Sequence, residues 1–321
     1  MCPLRKNNCY WGRVQHRIYV GIQSNSRYCP IRSQSMSSTS SNRSFNLPDG
    51  RASSYCMTEA TPGAPIVLLS NSLCSPYSAW DTVVPVLTEA GFAVLRYDQP
   101  GHGTSATPVD LQSTTFDSLV NDVQALLSHL DVAQLHAWVG VSMGASTGIY
   151  FAATYPGTVR RLVVCDTISG APVVFGAADP FPPRVRAMRE AGSLDCLLEG
   201  TMERWFGLAW MQAHPAETAR MRDVMLGTTM DGFETCCAAL SNPEYDLRPR
   251  LERAGRGCEE ALVVAGEKDA NLPTTMQEIR AGLEKGVGKS VRLEVIEGAG
   301  HVPFVDGFNE FCDIVVAFLQ T

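Results

Sequence analysis

The stretch AWVGVSMGASTG (137–148) puts Ser142 between Gly140 and Gly144 at the end of an apolar run. A G-x-S-x-G spacing suits a sharp turn from strand into helix, in which the serine takes a strained conformation and its small neighbours let other backbone come close. The turn holds Ser142 Oγ out at the start of the helix that follows. The chemistry on offer is acyl transfer through a covalent serine ester.

A serine hydroxyl is a weak nucleophile until an imidazole takes its proton and a carboxylate fixes the imidazole's tautomer. In a strand-turn-helix setting of this kind the chain order is serine, acid, histidine. Of six histidines, His16, His102, His129 and His136 precede the serine, and His214 sits in the surface-like AHPAE. His301, in the glycine-flanked EGAGHVPF, is the base. Two carboxylates compete for the acid's place: Asp269, ending ALVVAGEKD where the loop ANLP opens a helix, and Asp166, ending RLVVCD. Asp269 is favoured, because an aspartate such as Asp166 often serves as a cap or turn residue. Asp98, in RYDQPGHG, precedes the serine and reads as a structural turn residue. Two backbone N–H groups must receive the developing oxyanion. The pattern points to Met143, at the helix start, and Leu73, in the SNSLC loop.

These residues need a frame. IVLLS (66–70), FAVLRYD (92–98), LHAWVGVS (135–142), RLVVCD (161–166), ALVVAGEKD (261–269) and VRLEVIEG (291–298) are apolar enough to be strands buried on both faces. FDSLVNDVQALLSHL (116–130) has helical spacing, and NLPDGRASSYC suggests a hairpin turning at Asp49-Gly50. The rhythm is that of an α/β fold with a mainly parallel sheet flanked by helices. It predicts a core over 45–170 and 246–321, with 171–245 as a strandless helical cap or lid.

Composition excludes several classes. With 45% hydrophobic residues, 321 residues hold a substantial core. No stretch approaches the ~18 apolar residues of a membrane span, and an acidic body, at net charge −7 for the whole chain, argues against a nucleic-acid surface. The eleven cysteines are scattered without a C-x-x-C pair, which indicates reduced thiols in an intracellular compartment and no metal site. Residues 1–44 differ: basic, free of Asp and Glu, and ending in SQSMSSTSSNRS. A transit peptide, which would send the protein to mitochondria rather than the cytoplasm, a disordered tail, and a true start at Met36 are three open readings.

In order, SNSLC (70–74), RYDQPGHGTS (96–105), GVSMGAS (140–146), ERWF (203–206), GEKDANLP (266–273) and GAGHVPF (298–304) resemble the α/β-hydrolase superfamily, and within it 3-oxoadipate enol-lactonases, over about residues 45–321. The resemblance implies hydrolysis of an enol-lactone in aromatic catabolism without a cofactor, by Ser142, Asp269 and His301. Cys74, Pro100 and Ala145 depart from that family's glycine, arginine and glycine, and leave the substrate open. Cys74 is expected as a pocket wall rather than a nucleophile. A carboxylated lactone would need a cation; Arg184, Arg186, Arg189 and Arg204 are in reach, with Arg189 or Arg204 preferred, and Trp205 or Trp210 as an apolar wall. Rival readings are another carboxylesterase, lactonase or thioesterase of secondary metabolism, a carbon-carbon bond hydrolase, and a ligand receptor on a hydrolase scaffold. The partner in each is a small molecule.

Overall fold

The computed structural model describes residues 42–321; the readings for residues 1–41 lie outside the described residues. β1 (Arg43–Asn46) and β2 (Ala52–Thr58) form a hairpin about Asp49-Gly50. Leu47 N–H donates to the Arg51 carbonyl at 2.8 Å, and Gly50 takes φ 87°, a value glycine reaches without strain.

The apolar runs become β3 (Ile66–Ser70), β4 (Ala93–Tyr97), β5 (Leu135–Val141), β6 (Val159–Cys165), β7 (Glu260–Gly266) and β8 (Arg292–Ile296). Their order is β1-β2-β4-β3-β5-β6-β7-β8, and only the pairings of β1 with β2 and β2 with β4 are antiparallel. Parallel strands need helical crossovers. These are α1 (Val83–Glu89), α2 (Phe116–His129) and α3 (Met143–Thr154) in the first half. α2 starts at a capping box in which Thr115 and Ser118 satisfy each other's N–H groups. α3 is buried on every side except at its last residue, because it lies between the sheet, α2 and a later helix.

After β6 the chain runs through α4 (Phe181–Ala191), α5 (Asp195–Phe206), α6 (Leu208–Ala213), α7 (Pro215–Leu226), α8 (Met230–Ser241) and α9 (Leu251–Arg256) before β7. The start and end of this interval meet: Ala171 N–H donates to the Tyr245 carbonyl and Leu247 N–H to the Ser169 carbonyl, each at 2.8 Å. α10 (Leu272–Val287), α11 (Pro303–Asp306) and α12 (Phe308–Leu319) complete the chain. Among the described residues, no helix is long and apolar enough to cross a membrane.

The strand order places the chemistry. β4 lies on one side of β3 and β5 on the other, so the crossovers diverge and leave a crevice at the carboxyl ends of β3 and β5. Leu73 follows β3 and Ser142 follows β5, while Asp269 and His301 follow the parallel neighbours β7 and β8.

Candidate active site

Ser142 sits between β5 and α3 at φ 55°, ψ −118°, a conformation that a side-chain-bearing residue adopts only where its surroundings impose it. Its N–H donates to the Cys165 carbonyl at 2.9 Å, and its carbonyl accepts Ala145 and Ser146 N–H at 3.0 Å each. The glycines make the turn possible. A Cβ on Gly144 would collide with the Ser70 carbonyl, and one on Gly140 with the backbone of Gly144.

His301 Nδ1 donates to Asp269 Oδ2 at 2.5 Å, both residues being buried. That bond leaves Nε2 as the lone-pair nitrogen. Burial pulls the His301 pKa down, against the opposing pull of Asp269. Its loop is anchored at two points: His301 N–H donates to the Trp205 carbonyl at 3.0 Å, and Gly300 N–H to Asp306 Oδ2 at 2.6 Å. Burial pushes the Asp306 carboxyl up to about 7.

The other aspartates are engaged elsewhere. Asp166, fully buried at φ 39°, accepts the Gly266 N–H with both oxygens at 2.9 and 3.1 Å. Burial, and the nearby Asp269 charge after it, hold its carboxyl well above the usual carboxylate range. Asp98 accepts the Ser54 hydroxyl and the Tyr77 N–H, each at 2.6 Å.

A cavity of about 490 Å³ unites the site: Ser142, His301, Leu73, Cys74, Arg184, Arg204 and Trp205 are all on its wall. Among the described residues, no hydrogen bond uses the Ser142 hydroxyl or the N–H of Leu73 or Met143. These are the groups a substrate carbonyl would need free. Met143 itself points its side chain into the core. Cys74, at φ 64°, is buried, and burial pushes its thiol up to about 12, so the thiolate that a nucleophile requires is suppressed at neutral pH.

The arginines divide. Arg184 Nη2 donates to Thr201 Oγ1 at 2.7 Å. Arg204 keeps accessible surface and, among the described residues, forms no hydrogen bond or ion pair; surrounding protein atoms pull its pKa down. Arg189 lies off the cavity wall. Asp231 and Glu234 on α8 capture its guanidinium at 2.6 and 2.7 Å, which turns it away from the position expected of it. Trp210 stacks on His214, at 4.5 Å between rings, beside a different surface cavity.

Residues 63–314 match the alpha/beta hydrolase family. The chain belongs to that family. Within the alpha/beta hydrolases it is 31% identical to 3-oxoadipate enol-lactonase 2 of Acinetobacter baylyi, over 80% of this chain and 89% of that protein. It is 29% identical to a proline iminopeptidase of Lactobacillus delbrueckii subsp. bulgaricus, over 85% and 96%. The crystal structure of the enol-lactonase from Burkholderia xenovorans superposes with a TM-score of 0.74 at 28% identity, covering 87% of this chain and all of that one. As a class, this alpha/beta hydrolase is an ester-hydrolysing enzyme.

Sequence reasoning passed over His102. It is fully buried, and both its ring nitrogens are bonded to backbone atoms. Its place before the serine in the chain removed it as a base, and backbone partners leave no trace in residue types.

Proposed function

We propose that the protein opens a carboxylated enol-lactone of the 3-oxoadipate enol-lactone type by a serine mechanism. The observation that carries the reading is the buried Asp269–His301 bond opening onto a cavity whose wall also holds Ser142 and Leu73. The size of the cavity suits a small molecule, and the identity to an enol-lactonase supports the lactone.

His301 Nε2 takes the Ser142 proton as Oγ attacks the lactone carbonyl, while the N–H groups of Leu73 and Met143 receive the oxyanion. Collapse breaks the ring C–O bond, and His301 returns the proton to the departing enol oxygen. The enol becomes a ketone, which is a poor nucleophile, so ring closure no longer competes. Water, deprotonated by His301, then attacks the acyl ester and releases the acid and Ser142. Asp269 stays ionised throughout and stabilises the imidazolium. The segment 171–245 acts as the cap that walls this chemistry from solvent.

Arg204, and Arg184 beside it, supply the positive charge for the substrate carboxylate. Arg204→Gln is expected to raise KM for a carboxylated enol-lactone about 10- to 100-fold, the worth of a charge-assisted hydrogen bond. It should leave hydrolysis of a neutral aryl acetate within about threefold. Steady-state kinetics on muconolactone-derived enol-lactones beside aryl acetates tests the reading: turnover of the acetates alone would replace the lactone with a general carboxylesterase activity.

The base must be neutral to act. Since burial lowers the His301 pKa below the ordinary 6.5, the midpoint of the acid limb of kcat/KM should lie below pH 6.5. Asp306→Asn, measured alongside, should retain that acid limb, which assigns it to His301 rather than to the carboxyl beside Gly300. An acid limb whose midpoint lies above pH 6.5, or that disappears in Asp306→Asn, would contradict the assignment.

A further inference from the structure

The segment RYDQPGH (96–102) carries polar side chains that no step of the reaction above uses. Three of them grip the backbone of the loop that holds Leu73. Gln99 Nε2 donates to the Asn71 carbonyl at 2.8 Å, His102 Nε2 accepts the Cys74 N–H at 3.1 Å, and Asp98 Oδ1 accepts the Tyr77 N–H at 2.6 Å. All three side chains are buried, His102 completely. Gln99 thereby fixes the peptide plane between residues 71 and 72, and His102 the plane between 73 and 74. The plane bracketed by these two carries the Leu73 N–H.

The His102 ring can do this in one tautomer. Nδ1 lies 3.0 Å from the Pro100 carbonyl, which only accepts, so Nδ1 holds the proton and Nε2 offers its lone pair. Burial lowers the His102 pKa to about 4 and keeps the ring neutral across the physiological range. Cys74 at φ 64° would relax toward the ordinary region if it were not held. The far side of the turn rests on the helical segment. Thr229 N–H and Oγ1 both donate to the Gly101 carbonyl, at 2.9 and 3.0 Å, and Gly103 N–H donates to the Gly227 carbonyl at 2.9 Å.

We propose that His102 is the positioning residue of the oxyanion hole: by accepting the Cys74 N–H it sets the direction of the Leu73 N–H, and it links that donor to residues 227–229. The inference rests on the reading of Ser142 and Leu73 given under Proposed function. A held donor matters because displacement by about 1 Å can cost about 10²-fold in rate.

Two substitutions separate positioning from bulk structure. His102→Gln puts an amide oxygen at the reach of Nε2 and keeps an acceptor for Cys74; His102→Asn reaches only as far as Nδ1 and leaves that N–H without one. Both bury the same amide, but asparagine is one methylene shorter and strands a buried N–H. A purely structural role would therefore appear as a lower thermal midpoint with kcat retained, and the midpoint is measured beside the kinetics. The measurements are kcat and KM on an aryl acetate, and the affinity of a small boronic acid, whose tetrahedral adduct on a serine uses the same oxyanion donors. His102→Gln is expected to keep kcat within about fivefold, while His102→Asn loses about 10²-fold in kcat with KM nearly unchanged and boronic acid affinity falling in step. Equal losses in the two variants, or an Asn variant that loses only KM, would overturn the proposal. Nitrogen-15 labelled wild type needs no variant to fold: a through-hydrogen-bond coupling is expected between the Cys74 amide and His102 Nε2, and its absence also overturns the proposal. Ser142→Ala in the same assay keeps the two readings apart. An active Ser142→Ala removes the serine mechanism; an inactive one, with Gln and Asn variants alike, removes only the role of His102.

Discussion

Ser142→Ala is expected to lower kcat by about 10⁴- to 10⁶-fold while changing KM little, because the acyl-enzyme route is lost and ground-state contacts with the cavity are kept. The residual rate would come from the oxyanion donors and the binding cavity, which the substitution leaves in place. Stability should change far less. The Ser142 hydroxyl forms no hydrogen bond among the described residues, so its removal orphans no partner, and a change within about 0.5 kcal/mol is expected. The left-handed backbone at φ 55° is imposed on alanine as on serine. Turnover and thermal midpoint measured on one preparation check both halves. A variant that hydrolyses the substrate at near wild-type rate would remove Ser142 from the mechanism, and one that has lost its thermal transition would show that the rate loss came from unfolding.

The inner sheet was legible because burial on both faces demands uninterrupted apolar runs, and the runs that form β3 to β7 are buried almost throughout. The run at 291–298 overlaps β8 but is not buried on both faces as expected, since β8 is the edge strand and only Ile296 in it is buried. The serine turn was legible for a steric reason, since only glycine-sized residues at 140 and 144 clear the backbone of Gly144 and the Ser70 carbonyl. His301 could be reached by chain order, because its loop after β8 brings it to the same sheet edge as Ser142. The helical segment gave less. Arg189 and Arg204 sit on amphipathic helices whose spacing does not say which flank meets the cavity. What decides is tertiary: Asp231 and Glu234, more than 40 residues further on, pair with Arg189 and leave Arg204 at the cavity wall. His102 escaped for a related reason. Its partners are the Cys74 N–H and the Pro100 carbonyl, and backbone groups are the same whatever the residue.

The choice between the two acids carries the second large expectation. Asp269→Asn should reduce kcat by about 10⁴-fold, because an amide facing Nδ1 stabilises the wrong imidazole tautomer and cannot balance the imidazolium. Asp166→Asn should leave kcat within about tenfold, an effect of packing rather than of chemistry. The difference follows from their surroundings. Asp269 meets His301 Nδ1 at 2.5 Å, whereas Asp166 spends both oxygens on the Gly266 N–H. Burial holds the Asp166 carboxyl well above the usual carboxylate range, and asparagine keeps its shape and an oxygen that can accept the Gly266 N–H. Assay of the two variants side by side at neutral pH reads the ratio directly. A larger loss in Asp166→Asn than in Asp269→Asn would move the acid to the end of β6 and require the His301 loop to reach it, against the bond the imidazole makes to Asp269.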